Sequence, residues 1–243
     1  MTCGCTQNDG GNTVESFKNK VDGINNLQET LRNCDIDKLS HILKDHLSFG
    51  NTKLPDKIAI FNMGSAKDCP SNRESNCQAY DEKTDTDKCY ARKAEKQYPQ
   101  VLSYRRRQQL IWKEITANQF VEAFKEMYER KRKDISFLRL NESGDFRYQS
   151  DVEQAEEIAK RLKNECEIDV YTYTASDELD FTVCDYLTVN ASNENVEGYD
   201  QRFAAVEDYD EITEKHFECC EDCSKCHACM SDGGSDNIYI ELH

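Results

Sequence analysis

The chain predicts an α/β fold: a mostly parallel sheet, built as an open or partial (β/α) barrel, with a helical N-terminal extension and long cysteine-bearing loops. Three observations lead there. Beyond residue 57, short β-branched and aromatic runs alternate with helical patterns, the rhythm of parallel β-α units. Before residue 50, apolar residues recur only at helical spacing. No self-similarity at solenoid periods is present, so the alternation is not a repeat array.

Each element follows from local chemistry. Residues 1–12 are Gly/Asn-rich and read as an arm carrying Cys3 and Cys5. Asn12 with Glu15 forms a capping box, and Phe17, Val21, Ile24, Leu27 and Leu31 then line one helical face. Asp35 caps a second helix with Leu39, Ile42 and Leu43, expected to stop near Gly50. Residues 1–50 are therefore assigned as an N-terminal arm with helices, and 51–243 as the α/β domain. Residues 57–63 read as a strand ended by Gly64 and Ser65. A polar loop follows over 66–88, long enough to need something that organises it. Residues 90–133 are helical in two or three pieces. Pro99 interrupts the first, and a Thr116–Gln119 capping box starts the last.

Residues 135–140 form a strand, followed by a turn at 141–145. Ser150 with Glu153 caps the next helix, which runs to about 164. Strands are expected at 170–174, 186–190, 203–206 and 238–242, a helical turn at 177–179, and a short helix at 210–217. The segments at 66–89, 141–146 and 175–177 all follow strands. Ligands of such sheets gather at strand carboxyl ends, so these three should share one face.

The chain has 243 residues, long enough to bury a real core. Its mean hydropathy is strongly negative, so the core must be economical. No apolar run of about 18 residues exists to span a membrane. Met1–Cys5 lacks the charged start and apolar run of a signal peptide. A reducing, cytoplasmic compartment is expected if the cysteines hold metal rather than disulfides. The net charge of −16 disfavours generic nucleic-acid binding. Residues 92–133 are the exception, with twelve Lys/Arg against five Asp/Glu. Arg105–Arg107 and Arg130–Lys133 read as solvated helix faces offsetting an acidic body, or as a local nucleic-acid patch.

Cysteine carries the chemistry. Cys219, Cys220, Cys223, Cys226 and Cys229 crowd one short segment, while Cys69, Cys77 and Cys89 lie in the upstream loop. Three plus five is the thiolate count for two four-iron (4Fe-4S) clusters. Cys220 to Cys229 step by two intervening residues, like the C-x-x-C-x-x-C loop of bacterial ferredoxins, where a remote Cys-Pro completes the cluster. Cys69-Pro70 is the only Cys-Pro here. By that logic one of the five, Cys219 or Cys229 by position, serves the upstream trio. Disulfides fit less well, because the count of 13 is odd and the chain is long for a disulfide scaffold. Zinc is the alternative, but two separated knuckles have no room in the run, and His227 between cysteines is expected to point outward. If the trio acts alone, one iron stays open for a substrate. S-adenosylmethionine could bind such an iron, but the C-x-x-x-C-x-x-C spacing of enzymes that use it is absent. Cys34, Cys166 and Cys184 read as structural thiols.

Several ordered motifs resemble the phage-encoded gene product 88 family. They are Cys69-Pro70, Cys77, Cys89-Tyr90-Ala91, Arg139-Leu140-Asn141, Ser143-Gly144-Asp145-Phe146, Tyr173-Thr174 and the C-terminal Cys-x-x-Cys-x-x-Cys. The likeness spans about 57–242 and leaves the N-terminal region outside. It implies iron–sulfur binding, a distant kinship to radical enzymes on a partial barrel, and a phage-infected or prophage-bearing host. It implies no substrate. Arg139, Asn141 and Asp145, at the end of a strand, are the candidate catalytic residues. They could bind a small polar ligand or tune a cluster by hydrogen bonds, or form a structural turn.

Three functions are compared. The first is an oxygen-sensitive redox or radical-type enzyme with one open cluster. The second is an electron carrier with both clusters fully ligated. The third is a zinc-stapled binding module using the basic 92–133 face. The expected partner is a redox protein or a small-molecule substrate, with nucleic acid reached only through that basic region and no membrane.

Overall fold

The computed structural model describes residues 14–51, 53–72, 77, 80–81, 86–87, 89–131, 134–192, 195–206, 208–230 and 237–241. The expected arm with Cys3 and Cys5, its Asn12 cap, Arg132, Lys133 and Leu242 fall outside them.

The described helices are α1 (Val14–Asn33), α2 (Ile36–Asp45), α3 (Tyr90–Gln97), α4 (Pro99–Glu114), α5 (Ala117–Lys131) and α6 (Gln149–Cys166). The strands are β1 (Ser48–Phe49), β2 (Ile58–Phe61), β3 (Tyr80–Asp81), β4 (Thr86–Asp87), β5 (Phe137–Leu140), β6 (Asp169–Thr174), β7 (Leu187–Ala191), β8 (Gln201–Val206), β9 (His216–Glu218) and β10 (Asn237–Glu241). Eight strands form one open sheet in the order β1-β2-β5-β6-β7-β8-β10-β9. Among the described residues of this sheet only the β1–β2 pair is antiparallel; β3 and β4 form a separate antiparallel pair. The expected open α/β architecture is the one observed. The run β2-β5-β6-β7-β8 has no switch in direction, because each crossover of the same hand moves one strand along.

Both faces of the central strands are buried, with period-two alternation. Ala59, Phe61, Leu138, Leu140, Val170, Leu187 and Val189 face the main core. Against them pack Leu31 of α1, Leu39 and Leu43 of α2, Ile111 and Trp112 of α4, Phe120 and Phe124 of α5, and Ile158 and Leu162 of α6. The N-terminal helices thus share the core of the sheet. Phe61 meets Phe120 edge-on with ring centres 5.3 Å apart, and the buried Trp112 indole N–H donates to Asp151 at 2.9 Å. The other face carries Ile58, Ile60, Phe137 and Tyr171, with Tyr173, Cys223, Cys229 and Met230 packed on them.

The caps follow the chemistry expected of them. Asp35 accepts from the Lys38 N–H at 2.9 Å. Thr116 and Gln119 exchange side-chain bonds at 2.9 and 3.2 Å. Pro99 opens α4 at its first turn, where its missing N–H is harmless.

Four local expectations are corrected. The second helix ends at Asp45 rather than near Gly50, and β1 pairs with β2 in the segment expected to be its last turn. The next helix begins at Gln149, with Asp151 rather than Glu153 accepting the N-terminal amides of Arg147 and Tyr148. Residues 177–179 form bends without a helical turn. The helix expected at 210–217 is a 3-10 turn, Tyr209–Glu211, followed by β9. Pairing with β10 offers His216–Glu218 a parallel ladder that an isolated short helix cannot match.

Candidate metal centre

The loop after β2 is organised by protein groups. Glu95 of α3 is buried and accepts from the Ala66 and Lys67 amides at 2.7 and 3.0 Å. Arg105 of α4, also buried, pairs with Glu95 at 2.9 Å and donates to the Ala91 carbonyl at 2.8 Å. Arg106 grips Asp68 with two bonds, at 2.7 and 3.0 Å. These bonds and Ser65 hold the Asp68 carboxyl down at about 2. Arg147 donates to the Asp68 carbonyl at 2.7 Å. Two arginines of the first basic run therefore clamp the loop that carries Cys69.

The turn after β5 meets this loop. Asp145 is buried, and its oxygens accept from four donors: Ser71 at 2.6 Å, Thr174 at 2.7 Å, and the Phe146 and Ala175 amides at 2.8 and 2.9 Å. Burial pushes this carboxyl up, and the four bonds pull against it. Asp145 thereby ties the residue two after Cys69 to the ends of β5 and β6. Asn141 has a left-handed backbone, φ 65. Its Oδ1 accepts from the Met63 amide at 3.1 Å. Gly144 has φ +80, and a Cβ there would lie 2.8 Å from the Gly64 carbonyl oxygen. Gly144→Ala is expected to cost about 1–3 kcal/mol, read as a lower Tm.

The C-terminal run docks on the inner sheet face. Asn190 of β7 is fully buried and donates to the Cys229 and Thr172 carbonyls, both at 2.9 Å. Gln201 of β8 donates to the Ala228 carbonyl at 2.8 Å and to Asn190 Oδ1 at 2.9 Å. The Cys219 amide donates to the Tyr239 carbonyl at 2.7 Å. Lys53 pairs with Glu221. His227 does not point outward: its ring lies on Phe137 at 5.0 Å, and Nε2 is buried without a hydrogen-bond partner.

Between these pieces lies a cavity of about 1020 Å³. Cys69, Cys77 and Cys89 line it together with Cys219, Cys223 and Cys229. Residues far apart in sequence thus contribute six cysteines to one lining. Cys220 and Cys226 lie outside the lining, and the Cys220 thiol donates to the Asp222 carbonyl at 3.9 Å. Arg139, Asn141 and Asp145 all line the cavity, as do Ala66 and Ala175, so the three post-strand segments share one face as expected. Cys89 sits at the N-cap of α3.

Burial raises the thiols. Cys69 is driven well up by desolvation, with Asp145 and Cys77 adding to it. Cys223 is pushed up to about 11. Burial also raises Cys229, opposed by a hydrogen bond from the Tyr173 hydroxyl. A metal bound at these sulfurs would release protons.

By residue type the lining would suit a soft metal or an iron–sulfur group: it holds cysteines from two segments and no described histidine. Among the described residues, no three His, Cys, Asp or Glu side chains form a ready-made site for a single ion. No disulfide joins the described cysteines.

Asn190, Gln201 and Glu95 escape sequence reasoning. Asn190 carried a signal, since an amide inside an apolar strand is disfavoured unless it has a partner.

Fold and cavity define an open α/β protein with a thiol-lined cavity between the strand ends and the C-terminal segment. The family model of gene product 88 matches residues 32–197. That is most of the chain, which belongs to the phage gene product 88 family. No curated protein and no solved structure matches it. The match begins within α1 and takes in α2, upstream of where the likeness was expected to begin. It contains Cys69, Cys77, Cys89, Arg139, Asn141 and Asp145, and it ends before the five-cysteine run. No described helix is long and apolar enough to cross a membrane.

Proposed function

We propose that the protein carries two four-iron clusters and acts in redox chemistry, as a reductase or radical-type enzyme. The supporting observation is the convergence of Cys69, Cys77 and Cys89 with Cys219, Cys223 and Cys229 on one cavity. In this reading the C-terminal run holds one cluster. The upstream trio holds the other with three thiolates, leaving one iron without a protein ligand. Bound clusters supply one-electron transfer. The chain itself fixes the two cysteine segments, through Glu95 and Asp145 on one side and Asn190 and Gln201 on the other. The cavity is of the size that holds drug-sized molecules, so it leaves room for a substrate beside a cluster.

Cys219 and Cys229 line the same space as the trio, which favours a second reading: one of them completes the upstream cluster, and the protein is an electron carrier.

Anaerobic purification is expected to give brown protein with roughly eight iron atoms per chain. Cys223→Ala should lose about half of that iron. A colourless preparation with stoichiometric zinc would overturn both readings. Electron paramagnetic resonance, before and after adding candidate ligands of the open iron, separates them. A spectrum unchanged by every ligand favours the carrier.

A further inference from the structure

We infer that the cavity binds a small organic carboxylate with an apolar body, held through Arg139 and Asn141. This names a ligand class for the same site. It rests on the site being a ligand cavity but does not require that iron be bound.

Two polar side chains on the cavity wall have donors without an acceptor. Arg139 projects from β5 in register with Tyr171 of β6. Its guanidinium lies 4.8 Å from the Tyr173 ring centre, and Tyr173 in turn meets Phe203 edge-on at 5.1 Å. Arg139 Nε is buried and has no hydrogen-bond partner. Asn141 is 4% exposed, and its Nδ2 is likewise buried and unpartnered. The amide cannot simply be reversed, because its Oδ1 already accepts from the Met63 N–H. A buried donor left unmade is costly, and a buried charge more so.

The cavity's own carboxylates do not meet this need. Asp145 is saturated by its four donors. Glu142 accepts from Asn51 at 2.9 Å, and Glu221 pairs with Lys53. What is missing is an acceptor within hydrogen-bond reach of Arg139 Nε and Asn141 Nδ2. A guanidinium fork and a side-chain amide on the wall of one cavity, two residues apart in the chain, suit the two oxygens of a planar carboxylate. Phosphate sites more often use clustered backbone N–H groups at a helix N-terminus, and the unpartnered donors here are two side chains. The rest of the wall sets the body of the ligand: Leu54, Phe203, Ala205, Met230 and Ile240 offer apolar surface.

The test is isothermal titration calorimetry on the full chain, metal-free and after anaerobic iron loading. The probe is phenylacetate, and its neutral isostere phenylacetamide is the control. Wild-type protein should bind phenylacetate about tenfold or more tighter than the amide. Arg139→Gln should lose that preference. Asn141→Asp keeps the acceptor for Met63 and replaces the donor by a negative oxygen, so it should weaken phenylacetate by a similar factor. Thermal melts check that both variants fold. If neither does, the acid-to-amide ratio on wild-type protein still decides. Equal binding of acid and amide, no binding in either form, or tighter binding of inorganic phosphate overturns the inference. So does iron loss from Arg139→Gln together with no phenylacetate binding by loaded wild type, because the guanidinium then serves the thiolates. Colourless protein that binds phenylacetate as expected supports the inference and removes the iron–sulfur reading alone.

Discussion

Glu95→Ala is expected to destabilise the protein by about 3–5 kcal/mol, the usual consequence of removing one partner of a buried ion pair. The Arg105 and Glu95 side chains are 7% and 4% exposed. Truncating Glu95 leaves the Arg105 guanidinium buried without its counter-charge. It also strips the acceptor from the Ala66 and Lys67 amides. The loss should therefore exceed that of a surface pair such as Arg161–Glu165, which contributes about 0.3–0.5 kcal/mol as an i,i+4 helix pair. Urea unfolding with matched m-values reads the difference. A second effect is local: the segment that carries Cys69 loses its main anchor to α3, so anaerobic iron retention should fall together with stability. A loss below about 1 kcal/mol would contradict the role given to the pair.

Asn190→Leu is expected to release the C-terminal run from the sheet. Leucine is close in size, so the inner face stays filled. The Cys229 and Thr172 carbonyls lose their donor, and Gln201 loses an acceptor. Each stranded buried group costs about 1–3 kcal/mol. The readout is limited trypsin digestion at Lys225, which is exposed within the run. The variant should be cut there much faster than wild type, while the core bounded by α1 to α6 resists as before. Equal cleavage rates would show that the run is held by something other than the two amides.

Both effects concern how two cysteine segments are held, and that was the least legible part of the sequence. The 66–88 loop is polar and long, so a metal looked necessary to organise it. Glu95 and Arg106, from the helices that follow, hold its first residues, Ala66 to Asp68. Nothing local distinguishes a glutamate that will be buried from the many that are not. Arg105–Arg107 read as a basic face for the same reason: a run of like charge reports composition, whereas pairing depends on what the fold brings within about 4 Å. β9 was misread because a parallel edge strand takes its hydrogen bonds from a distant partner, β10, and three residues carry too little pattern of their own.

The sequence by itself determined the strand–helix rhythm of the open parallel sheet, because side-chain periodicity of two or 3.6 is a local property. It determined the caps at Asp35 and Thr116, which need only neighbours a few residues away. It marked Cys69, Cys77, Cys89 and the C-terminal five as a thiol set of unusual density. Only the tertiary structure decided that Cys69, Cys77, Cys89, Cys219, Cys223 and Cys229 line one cavity while Cys220 and Cys226 do not. It also decided that Asp145 is a saturated clamp and that Arg139 keeps a buried, unpartnered nitrogen. Those outcomes depend on which face of the sheet each residue takes and on which buried donors find acceptors. Both are settled by contacts between residues far apart in the chain, and local pattern does not encode them.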